Sequence, residues 1–253
     1  MASNLSSIGI PVKNNKGLSK ILYKAIKNAE RIDFEFGYFL KWVSNTGAEL
    51  WIHMDQNNDI IGFNPFYNGE SNFSTGIIKK IDNEKYNDFE ALLYAWANPK
   101  ENDPEIGDYP FAFDCVNISI FEKIKLPCIK NIKLSAFAYN LEIYPNEEYY
   151  NIEQKKINGE HHYASKSFIP SGTFSPNDDD NESFEIIPEA IFTGMILDYD
   201  EYKNELTGKK YFWIKTETYG GIIDVVADTK LVNSKLMVNG IISGVFYMCG
   251  KII

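Results

Sequence analysis

The stretch EAIFTGMILDYDEYKNELTGKKYFWIKTETYGGIIDVVADTKLVNSKLMVNGIISGVFYMCGKII, Glu189 to Ile253, is cut by turn formers at the spacing of short strands. Ala190 to Leu197 predicts a first strand, with Gly194 near its middle, where a tightly coiled strand bends without side-chain conflict. A charged loop through Asn204 and Thr207-Gly208 leads into a second strand, Lys210 to Thr218, and Tyr219-Gly220-Gly221 turns the chain into a third, Ile222 to Ala227. Asp228 to Lys235 has room for one helical turn before Val238 to Met248 closes the set.

Upstream, the pattern is again mostly β. One helix is expected at about Leu18 to Ile32, where Leu18, Ile21, Leu22, Ala25, Ile26 and Ala29 share a face and Lys20, Lys24 and Lys27 point away. The runs Phe34 to Val43, Glu49 to Met54 and Ile60 to Phe66 are joined by Asn45-Thr46-Gly47 and by Gln56 to Asp59, which predicts an antiparallel meander. Further strands are expected near Thr75 to Ile81, at Phe111 to Val116 and at Phe89 to Ala97, whose short apolar run fits a helix or a strand and is read as strand from its neighbours. Ile129 to Tyr144 is apolar on both parities and reads as a strand covered on both faces. Pro145 to Glu160 is polar and tyrosine-rich, Ser175 to Ser183 is a charged run, and no internal repeat is visible. The fold class is therefore α+β, mainly antiparallel β. The expected domains are an amino-terminal sheet domain, 1–174, carrying the one long helix, an acidic linker, 175–188, and a small barrel, 189–253.

Strand, bent strand, hairpin, short helix and glycine-punctuated strand over Glu189 to Ile253 resemble an OB-fold barrel, a likeness that covers about a quarter of the chain. A fifth strand is not separately visible; it comes from a break at Gly244 or Gly250, from the amino-terminal part, or does not exist. The resemblance implies a binding face on the second and third strands. Tyr211, Trp213 and Lys215 share one parity there: outward they form an aromatic and cationic strip, inward they are core, and core is the favoured place for Trp213.

The formal charge is 25 − 35 = −10, and Arg31 is the only arginine. Arginine supplies the planar fork for phosphates and base edges, so a nucleic-acid partner is disfavoured and a basic protein partner favoured. Cys115, Cys128 and Cys249 form no C-x-x-C pair, and the polar start shows no secretory pattern, so a reducing, cytoplasmic setting is expected, with no membrane span.

Motifs for chemistry fail on spacing. Asp178, Asp180, Glu182 and Glu189 match four positions of a calcium loop, but Ser183 stands where the loop needs glycine, and Asp55, Asn57 and Asp59 begin a second count that Ile60 and Phe66 break. Adjacent His161 and His162 face opposite ways on an extended segment, and His53 is distant in sequence, so no metal site and no cofactor is expected. No nucleophile or phosphate-loop motif is present; Thr207-Gly208-Lys209-Lys210 has Lys203 where a first glycine belongs. Asp114, between Phe113 and Cys115, is the one candidate acid, set against the commoner strand-end aspartate that caps a turn. Asn64, Phe66 and Tyr67, in a run of aromatics and turn formers, are candidates for the edge of a ligand groove.

The function expected from this reading is a non-enzymatic, bacterial-type binding or inhibitory module, of which an immunity-type protein that neutralises a basic partner is one form. The alternatives are a hydrolase-like enzyme with Asp114 or the Asn64 to Gly69 loop in a cleft between domains, and an OB-type binder of single-stranded nucleic acid or oligosaccharide.

Overall fold

The computed structural model describes residues 3–81, 89–121, 124–159, 163–171 and 186–253. His161, His162, Asp178, Asp180, Glu182 and most of the acidic linker lie outside the described residues. The described part is mainly antiparallel β with three α-helices.

Two short helices, α1 (Asn4–Ser7) and α2 (Asn15–Ile26), lead into a meander of β1 (Glu30–Phe34), β2 (Gly37–Val43), β3 (Ala48–Asp55) and β4 (Ile60–Tyr67), paired in chain order. The Asn14 side chain caps α2 by accepting from the Gly17 amide at 2.9 Å. The helix ends six residues before the expected Ile32. Past Asn28 the apolar residues change period from helical to alternate, Ile32 and Phe34 turning inward while Glu30, Arg31 and Asp33 stay exposed, and Glu30 to Phe34 pairs with β2 instead. The β3–β4 turn is an Asx turn: Asp55 Oδ1 accepts from the amides of Asn57 (2.9 Å) and Asp59 (2.8 Å), a structural use of one of the acids considered for calcium.

The second sheet contains β5 (Phe73–Ile81), β6 (Ala91–Ala97), β7 (Pro110–Cys115), β8 (Cys128–Tyr144), β9 (Ser167–Pro170), β10 (Glu189–Lys203), β11 (Lys210–Thr218), β12 (Gly221–Asp228) and β13 (Ile241–Ile252). Its pairings close twice. β10–β11–β12–β8–β13–β10 is one ring of five strands, and β5–β6–β7–β13–β8–β5 is another. Both rings follow one wiring: three antiparallel strands, a 3-10 turn (Ile118–Phe121 or Thr229–Leu231), then a long strand. The long strands β8 and β13 pair with each other from Ile241↔Tyr144 to Ile252↔Ile132, and each also runs parallel to the third strand of the other's trio. This internal repeat leaves no visible trace in the residues, because a strand trio constrains only which positions are apolar.

Side-chain parity sorts the sheet into two cores. Ile132, Leu134, Ala136 and Ala138 of β8 point into the ring interior with Phe113, Phe192, Ile214 and Phe246. Phe137 of β8, with Tyr211, Trp213, Val226 and Cys249, faces outward and is covered by the meander through Phe39, Trp51 and Phe66. β8 is thus apolar on both parities because both its faces are covered. At Gly194 an added Cβ would stand 2.4 Å from Thr216 Cγ2 and 2.8 Å from the Glu217 carbonyl oxygen, so the close approach of β11 to β10 depends on that glycine.

Three further elements were not expected, α1, β9 and a helix: Glu147–Asn158 of the tyrosine-rich segment is α3. Asn146 caps it by accepting from the Tyr149 amide, acids open it, lysines close it, and Tyr150 is fully buried against Tyr144.

Candidate functional site

A cleft of about 530 Å³ lies where the Ser44 to Gly47 turn and the Tyr67 to Glu70 segment meet the outer face of β10 and β11. Register builds one wall: Asp198, Asp200 and Tyr202 on β10 stand opposite Lys215, Trp213 and Tyr211 on β11, and opposed residues share a face. Trp213 stacks with Tyr202 (6.2 Å, 21°) and with Tyr67 of the covering segment (6.4 Å, 29°). The strip therefore points out of the ring and is nevertheless buried, Trp213 being 6% exposed, because the meander folds over it.

Polar contacts fix that cover. Trp213 Nε1 donates to Asp224 Oδ1 at 2.8 Å, and the Ser71 amide donates to Asp224 Oδ2 at 2.7 Å. Gly69 sits against the same carboxylate, where an added Cβ would lie 2.2 Å from Asp224 Cγ, so no larger residue fits without displacing the cleft wall. On the far side Glu205 holds the turn, accepting from Ser44 Oγ (2.5 Å) and the Asn45 amide (3.1 Å), while Thr46 Oγ1 and the Tyr211 hydroxyl are hydrogen-bonded at 2.9 Å. Burial pushes the Tyr67 and Tyr211 hydroxyls well up, so both stay protonated.

The lining carries three carboxylates, Glu70, Asp198 and Asp200, and no cation. Lys215 at the edge is engaged by Glu70 at 2.5 Å, a hydrogen bond that raises its ammonium pKa. Asp198 and Asp200 make no ion pair among the described residues, and each has one oxygen fixed by the next backbone amide, from Tyr199 and from Glu201, both at 2.8 Å.

The remaining sequence candidates lie elsewhere, under the meander. Asp114 on β7 is 3% exposed and accepts from the Tyr247 hydroxyl. It is the wiring counterpart of Asp224: Asp114 pairs with Cys249, Cys249 with Ser135, and Ser135 with Asp224, so the two aspartates flank the β8–β13 centre symmetrically. Near Asp114 burial lifts the Glu90 carboxyl to about 7; a hydrogen bond from Asn64 opposes the rise and the charge of Asp114 adds to it. Burial takes the His53 imidazole down to about 3, against a smaller raising influence of neighbouring Asn64. His53 stacks on Phe89 at 5.2 Å. Phe66 is fully buried with the Lys251 ammonium 5.0 Å over its ring. Tyr67, Trp213 and Lys215 thus meet at the cleft, whereas Asn64, Phe66 and Asp114 belong to the interface between the two sheets.

No family model, curated protein or solved structure matches this chain. The geometry alone therefore carries the functional reading. Among the described residues no group of three or more His, Cys, Asp or Glu is arranged to hold a metal ion, and no helix is long and apolar enough to cross a membrane.

Asp198, Asp200 and Tyr202 were not picked out by sequence. The alternation Asp198-Tyr199-Asp200-Glu201-Tyr202 reads as a charged loop until its pairing with Tyr211 to Lys215 is known. With that register, the cleft can do one thing well. Asp198 and Asp200, in no ion pair among the described residues and beside stacked aromatic rings, attract a cation by charge and by ring quadrupole together.

Proposed function

We propose that the protein is a non-enzymatic binding module whose cleft between the Tyr67 to Glu70 segment and β10 receives a basic segment of a partner protein. The observation that carries this is the pair Asp198 and Asp200, anchored by backbone amides and neutralised by no ion pair among the described residues, beside the Tyr202–Trp213 stack.

The closed circuit β10–β11–β12–β8–β13 supports the OB-type reading of 189–253, with β8 of the amino-terminal part as its fifth strand. In that reading the covered face of β11 and β12 is the recognition face, narrowed by the meander to the cleft. Its charge argues against a polyanion: Glu70, Asp198, Asp200 and Asp224 surround the one lysine, and that lysine is paired. Hydrolysis is the weaker alternative. Glu90 and His53 do neighbour Asn64, and Asp114 acts on Glu90, but Asp114 is engaged by Tyr247 and His53 by Phe89, as packing groups are.

Calorimetric titration with a hexapeptide of mixed arginine and lysine tests the proposal. Submillimolar binding that weakens about tenfold in Asp198→Asn/Asp200→Asn, with hexaglutamate giving no heat, is the expected result. A basic peptide that does not bind, or that binds the double variant equally well, overturns it.

A further inference from the structure

The cleft is selective among cations, and this inference rests on the binding reading above. We propose that the partner group it takes is an arginine guanidinium in preference to a lysine ammonium.

Two features of the walls favour the planar group. The carboxylates are fixed in direction: Asp198 Oδ1 and Asp200 Oδ1 each accept from a backbone amide, so the second oxygen of each is left for a ligand at a defined orientation. A guanidinium presents several N–H donors in a rigid fork that gains from such fixed acceptors, whereas an ammonium on a flexible stem gains little from orientation. The aromatic wall acts in the same direction. Tyr202 is half-buried and nearly parallel to Trp213. A flat, weakly hydrated cation stacks on such a surface at a smaller desolvation cost than a compact ammonium.

The chain contains this arrangement once already. Its only arginine, Arg31, places its guanidinium carbon 3.6 Å from the Tyr38 ring centroid while Nε and Nη2 both reach Asp33 Oδ1 at 2.8 Å. The Arg31 site thus combines an aromatic face with a strand carboxylate. The geometry differs at the cleft, where Asp200 and Tyr202 lie two apart on β10 rather than opposite each other as Asp33 and Tyr38 do, but a carboxylate and a ring again share one face, without an arginine of their own.

Two short peptides that differ only in carrying two arginines or two lysines, each pair spaced by one glycine, separate the possibilities when titrated into the full chain. The arginine peptide is expected to bind about fivefold tighter. Tyr202→Leu is expected to bring that ratio near one, while Asp198→Asn/Asp200→Asn weakens both peptides. Equal affinity of the parent protein for the two peptides overturns the arginine preference and leaves the binding reading standing; no binding of either overturns both. The ratio in the parent protein needs no variant to fold.

Discussion

Replacing Glu49 by alanine is expected to lower the unfolding free energy by about 3–5 kcal/mol, the usual cost of removing one partner from a buried ion pair. Glu49 on β3 is fully buried and is the shared acceptor for Lys251 Nζ of β13 (2.9 Å), Lys41 Nζ of β2 (3.4 Å) and Trp51 Nε1 (2.8 Å). The Lys251 ammonium is pulled down by burial and held up by Glu49, while Lys41 and Lys133 push it down further. Without the carboxylate, Lys251 and Lys41 face one another in the seam between the meander and the second sheet. Each must then lose its charge or draw in water, and the seam opens either way. Urea denaturation measures the loss. Glu49→Leu combined with Lys251→Met is expected to recover most of it, because the pair's net worth against apolar packing is small. A Glu49→Ala protein within about 1 kcal/mol of the parent would mean that the network contributes nothing to holding the sheets together.

The second large effect depends on pH and is concealed in the parent protein. Glu90 has its folded pKa raised to about 7 from 4.5, so the folded state holds a proton that the unfolded state has lost, and stability falls as pH rises between those values. His53 has its folded pKa lowered to about 3 from 6.5, so the unfolded state holds the proton instead, and stability rises with pH from about 3 to 6.5. Across the shared window, pH 4.5 to 6.5, the two slopes are about 1.4 kcal/mol per unit and opposite in sign. Their sum is nearly flat. Glu90→Gln removes one of them: its stability relative to the parent is expected to climb by about 3 kcal/mol between pH 4.5 and 7 and to stay constant above. His53→Phe, which keeps a ring on Phe89, is expected to expose the opposite slope. Urea midpoints for the three proteins at half-unit steps of pH test this, and a Glu90→Gln difference that does not change with pH defeats it.

How much of this could be read from the residues follows the range of the interactions concerned. The meander and the strands of 189–253 are marked by local turn chemistry, so Asn45 to Gly47, Gln56 to Asp59 and Tyr219 to Gly221 announce them. Helix α3 escaped because, of its described side chains, Tyr150 and Gln154 alone are buried, too few to mark a helical stripe. The closure of the rings rests on β8 pairing with β12 and β13 about a hundred residues later, and no local pattern encodes that. The cleft divides the same way. The shared parity of Tyr211, Trp213 and Lys215 is a local fact, but their cover by Tyr67 and their pairing with Asp198 to Tyr202 depend on contacts between distant segments.

The sharing of β8 and β13 has a consequence for how the chain is made. Each strand closes its own trio and lends a parallel edge to the other, so neither ring is complete until the ribosome has delivered Ile241 to Ile252. Until then β8 presents an open strand edge to solvent along most of its length, the state in which nascent chains find wrong partners. A protein wired in this way depends on holding that edge apart from its neighbours during synthesis. Once β13 is seated, a single event seals both rings.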